Sequence, residues 1–137
     1  MVAIPEVARR NVDLGSKQTA AAALRTFFRI AEAWKLSVKE QMAILGVRSR
    51  STLHSWKGGE AGPLGRDTLE RLSYVFGIYK ALQVIFSRQE QANGWIRKPN
   101  AAPIFGGRSA LDRLVAGNVS DLYEVRRYLD AQRGGWN

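Results

Sequence analysis

The stretch "LSVKEQMAILGVRSRSTLHSWKGG", Leu36 to Gly59, decides the fold. Ser37-Val38-Lys39-Glu40 has the S-x-x-E spacing of a capping box, so a short helix is predicted from there to about Leu45. Gly46 then supplies the permissive backbone of a tight turn. A second helix is predicted from about Arg50 to Lys57, capped by Ser49. It stops at "KGGEAGPLG", where four glycines and Pro63 cannot continue it. Leu53 and Trp56 fall on its inward side and Val47 fills the turn. Arg50, Ser51, His54 and Ser55 face outward, with Thr52 at the margin.

Two short helices joined through a glycine turn are the architecture of a helix-turn-helix reader of DNA. One helix crosses the phosphate backbone while the other enters the major groove, so the second must bury one side and offer polar groups on the other. Arg50 is of the type best suited to bidentate recognition of guanine O6 and N7. Ser51 and the Ser49–Arg50 backbone stand where a helix N-terminus meets phosphate. Lys57 and Lys39 suit phosphate clamps. Lys39, Arg48, Ser49, Arg50, Ser51, Thr52, His54 and Lys57 are therefore the candidate DNA-binding residues. The competing reading is an ordinary helical hairpin whose polar face only meets water.

Outward from the hairpin, Ala20, Leu24, Phe27, Phe28, Ala31 and Trp34 recur at three- and four-residue spacings and predict an amphipathic helix over Thr19–Trp34. Asp67-Thr68-Leu69-Glu70 repeats the cap-plus-Glu spacing and opens a fourth helix. Gly77 permits a break, and Ile78, Tyr79, Leu82 and Phe86 carry a fifth to about Ser87. Residues 88–108 change character and read as a linker or an ordered loop. Trp95, Ile96, Ile104 and Phe105 argue for order and core packing. Two more helices follow, Ser109–Ala116 and Ser120 to about Gln132, with Ser120 as cap of the second. No period-two strand is evident. The expected fold is all-α, a helix-turn-helix bundle at 19–87 followed by a small helical domain at 88–137, with a mobile arm at 1–18.

Composition narrows the function. The chain of 137 residues is 45% hydrophobic and carries no cysteine, which excludes disulfides and Cys-based metal sites and fits a reducing cytoplasm. No apolar run approaches the roughly 18 residues that span a bilayer. One histidine, His54, leaves no partner for a two-His metal site or a Ser-His-Asp triad, so no catalytic residue, metal, cofactor or small-molecule substrate is expected. The net charge of +9 divides into +6 up to Ser87 and +3 beyond, so both halves favour acidic partners.

Leu36–Gly59 resembles the Xre/Cro-type helix-turn-helix, whose pattern runs L-x-x-x-x-x-A-x-x-L-G-V-S-x-x-T-L/V-x-x-W. Met42 replaces the usual small residue, and "VRSRSTL" is one residue longer than the usual step, which leaves two registers for the reading helix. From about Leu24 to the C-terminus the chain resembles the Xre/MbcA/ParS antitoxins. The marks are Trp95, Pro99-Asn100, Phe105-Gly106-Gly107, the Ser-x-Leu-x-x-Leu-x-x-Gly run from Ser109 to Gly117, and Val125-Arg126-Arg127-Tyr128-Leu129. The resemblance implies a non-enzymatic antitoxin with two jobs. Its helix-turn-helix binds operator DNA, as a homodimer or higher oligomer, and represses its own operon. Its C-terminal domain binds a RES-domain toxin that degrades NAD, and its end obstructs the toxin's active site. The matching toxin-binding positions are Arg126, Arg127, Arg133, Gly134, Gly135, Trp136 and Asn137. A plain repressor without a toxin partner and a ParS-like protein-interaction adaptor are the competing readings.

Overall fold

The computed structural model describes residues 17–134. The arm expected at 1–18 lies outside them except for its last two residues, which already belong to the first helix. Seven α-helices and one 3₁₀ turn occur among the described residues: α1 (Lys17–Ala33), α2 (Val38–Leu45), α3 (Arg50–Lys57), α4 (Arg66–Ile85), α5 (Gln89–Gly94), the 3₁₀ turn Trp95–Arg97, α6 (Ala110–Leu114) and α7 (Val119–Gly134). The only extended pairing among them is an isolated bridge between Pro99 and Ser109. The all-α expectation holds.

Of the predicted apolar stripe, Ala20, Leu24, Phe27, Ala31 and, just past the end of α1, Trp34 lie within 2% of complete burial, as does Ile30, while Phe28 is half-buried against the core. Lys35 ends α1 at a φ of 57°, and the Leu36 amide folds back onto the Ala31 carbonyl at 2.8 Å. A single cluster of buried apolar side chains runs from Ala20 to Leu129, so both halves share one core. Its spine is α4, which packs most extensively against α7. The buried Leu122, Val125 and Leu129 of α7 lie one helical turn apart, the spacing of a single face.

Three local expectations are corrected. The chain does not break at Gly77; α4 runs unbroken from Arg66 to Ile85. Gly77 serves packing instead: the Arg126 guanidinium of α7 lies where its Cβ would be, so only glycine permits that approach. Asp67 is not a cap, since α4 opens at Gly65 without a side-chain cap bond. Asp67 lies in the first turn, where a carboxylate favours the helix dipole, and accepts from Arg71 Nε at 2.8 Å. Ser120 is likewise inside α7, which opens at Val119.

Residues 88–108 are ordered, and α5 and the 3₁₀ turn fall within them. Trp95, Phe105 and Tyr128 form a triad of rings with centroids 5.2–6.4 Å apart, which fixes the loop to α7. The loop closes on Asn100, whose amide donates to the Arg108 carbonyl at 3.0 Å and whose side-chain oxygen accepts from the Ala102 amide at 2.9 Å. No helix among the described residues is long and apolar enough to cross a membrane.

Candidate nucleic-acid interface and C-terminal surface

The hairpin is built by local hydrogen bonding. Ser37 and Glu40 complete the capping box at 3.1 and 2.8 Å, which satisfies two amides at the start of α2. Gly46 ends α2 in the left-handed region at φ 71°, and the Val47 amide returns to the Met42 carbonyl at 2.9 Å. Val47 and Met42 are both half-buried against the core, so the unusual Met42 is accommodated by packing. Ser49 caps α3 by accepting from the Thr52 amide at 3.3 Å, and its hydroxyl lies 2.7 Å from that of Ser51.

This places the candidate residues as one face. Leu53 is buried and Trp56 half-buried, while Arg50, His54 and Lys57 are exposed at positions i, i+4 and i+7 of α3. Lys39, Arg48, Ser49 and Ser51 are exposed beside them, and Thr52 is half-buried. Lys39, Arg48 and Arg50 enter no ion pair among the described residues. Lys57 Nζ stands 5.6 Å from the Phe28 ring centroid, a cation–π contact that orients it toward α1.

That contact leads to residues the sequence reading missed. An open groove of about 780 Å³ lies between α1 and the end of α3, floored by Phe28 and Trp56 and rimmed by Arg25, Arg29, Lys35 and Lys57. Glu32 is the one acidic residue in it. The available signal was Arg25 and Arg29 at i, i+4 on the polar face of the first amphipathic helix, a spacing that brings two guanidinium groups to the same side.

At the other end, Arg127 is exposed, Arg133 half-buried and Gly134 exposed on α7. Arg126 is engaged internally: it donates to the Ser73 carbonyl at 3.4 Å and pairs with Asp130 at 3.5 Å. Gly135, Trp136 and Asn137 lie outside the described residues. Beside Arg126, Tyr74 and Tyr123 meet edge to face at 5.7 Å, and the Tyr74 hydroxyl donates to Glu70 at 2.9 Å. Burial, reinforced by that bond to the Glu70 carboxylate, raises the Tyr74 phenol above its ordinary value.

Residues 13–77 match the family model of the antitoxin Xre-like helix-turn-helix domain, and residues 81–135 that of the antitoxin Xre/MbcA/ParS C-terminal toxin-binding domain. The two matches meet within α4, the helix that both halves share. An uncharacterized protein, y4oB of Sinorhizobium fredii (strain NBRC 101917 / NGR234), is 51% identical over 114 residues, which cover 83% of this chain and 86% of that protein. No solved structure matches the chain.

Proposed function

This chain belongs to the antitoxins that join an Xre-like helix-turn-helix to an Xre/MbcA/ParS C-terminal toxin-binding domain, and on that premise we propose that it neutralises a RES-domain, NAD-degrading toxin and represses its own operon. Two basic surfaces on one scaffold support the reading: the α3 face of Arg50, His54 and Lys57, and the arginines Arg127 and Arg133 of α7.

In repression, α3 enters the major groove. Arg50 reads guanine, Ser51, Thr52 and His54 contact neighbouring edges or phosphates, and Lys39, Arg48, Ser49 and Lys57 hold the backbone. Arg25, Arg29 and Lys35 extend the phosphate track along α1. One eight-residue helix reads too few bases for useful specificity, so the binding unit is a dimer. In neutralisation, Arg127, Arg133 and the Gly134–Asn137 tail cover the toxin's active site, with Trp136 as anchor and Arg126 holding α7 in place. The protein acts in the cytoplasm by binding alone.

The test is paired: a gel shift on the DNA upstream of the gene, and rescue of cells poisoned by the adjacent gene's product. The reading expects both. DNA binding without rescue reduces the protein to a plain repressor, and rescue without DNA binding makes it an adaptor.

A further inference from the structure

One buried side chain joins the two halves. Arg71 of α4 is 7% exposed, and its guanidinium makes four hydrogen bonds in three directions. Nε donates to Asp67 at 2.8 Å; Nη1 donates to the carbonyls of Ala43 and Ile44, both at 3.3 Å; Nη2 donates to the carbonyl of Gly117 at 2.9 Å. Ala43 and Ile44 belong to the last turn of α2, where carbonyls lack partners within the helix and a cation is favoured by the dipole. Gly117, at φ 93°, lies between α6 and α7 and begins the approach to the C-terminal helix. The contact at the hairpin is close: a Cβ on Gly46 would stand 2.9 Å from both Cζ and Nε of Arg71. The glycine of the turn therefore has two reasons to be glycine, its backbone angle and the guanidinium against it.

We infer that Arg71 is a positioning residue that transmits displacement of the C-terminal half to the DNA-reading hairpin. The inference rests on the two-surface reading above. The guanidinium is planar and its donors point in fixed directions, so it cannot keep its bonds to α2 and to Gly117 if the two move apart. A partner that shifts α7 takes the Gly117 carbonyl with it. The last turn of α2 then follows and carries α3 with it, or the Ile44 carbonyl loses its donor and Ala43 keeps only the Gly46 amide. By linkage, DNA that fixes α3 acts back on the C-terminal half with the same coupling energy. Lysine at this position keeps the charge and loses the fork.

His54 is the single histidine of the chain and lies on α3, so its ring signals in an NMR spectrum of the full-length protein report on the reading helix alone. Gly117→Ala strains only the far turn, since no atom lies within 4 Å of the added Cβ and the cost is its φ of 93°. With Arg71 intact, Gly117→Ala is expected to shift the His54 signals and to change affinity for the upstream DNA by about three- to tenfold. In an Arg71→Lys background, or in Arg71→Gln if the lysine variant melts early, the same substitution leaves both unchanged. Gly107→Ala, another strained turn in the same half, leaves His54 unmoved in either background. An equal His54 response with and without Arg71, or no response with Arg71 present, overturns the inference. If the protein binds no DNA at all, the functional reading fails, while the His54 comparison still decides this point.

Discussion

Arg50 and Lys57 share a face of α3, seven residues apart in sequence, and are predicted to fail differently. Arg50→Ala removes a base contact, so operator affinity falls by about 1–3 kcal/mol and base preference relaxes; Lys57→Ala weakens all sequences evenly. Titrations on the operator and on single-base variants separate the two. Gly77 offers a test of packing. Glycine inside a helix normally costs about 1 kcal/mol relative to alanine, so Gly77→Ala would ordinarily stabilise. Here its Cβ meets the end of the flexible Arg126 side chain, which is 36% exposed and must move aside, so the substitution is predicted to gain less than that amount. Once Arg126→Ala has emptied that space, Gly77→Ala should stabilise by about 1 kcal/mol. Denaturant melts of the four proteins check this, and a Gly77→Ala effect that is the same with and without Arg126 contradicts it.

At the level of the element, Ser49 closes the first turn of α3, and Ser49→Ala is predicted to cost about 1 kcal/mol, with faster hydrogen exchange at the Thr52 amide. Normal protection there would assign the cap elsewhere. The hairpin was legible because its causes are local: Ser37, Glu40, Gly46 and Ser49 all act within a few residues of themselves. The uninterrupted α4 was not legible, because the reason for Gly77 sits on α7. Asp67 and Ser120 misled for a related cause: cap-type residues also occur inside a first turn, and Asp67 is there for Arg71. The rim of Arg25 and Arg29 was visible as a spacing, but its proximity to Lys57 depends on how α1 crosses α3.

Across the whole molecule, a net charge of +9 overstates the free basic surface. Arg71, Arg97, Arg113 and Arg126 each donate to backbone carbonyls of other segments, so part of the excess serves assembly of the fold. Arg97, for one, reaches the Trp34 and Lys35 carbonyls at the end of α1 at 3.0 and 2.6 Å. The remaining cations on α1, α2 and α3 predict operator affinity that falls steeply with salt, and Arg25→Gln with Arg29→Gln should flatten the slope by about two. An unchanged slope would remove α1 from the interface. At the far end, deleting Trp136 and Asn137 should weaken neutralisation and leave the melting temperature unaltered.

The two surfaces are predicted to be separable by mutation. The direct measurement uses one strain carrying a reporter on the upstream promoter and an inducible RES-type product of the adjacent gene. Arg50→Ala should derepress the reporter while the cells survive induction, and the chain lacking Trp136 and Asn137 should repress the reporter while the cells lose viability. If each variant loses both activities together, or neither loses either, two separate grips on one helical scaffold are contradicted.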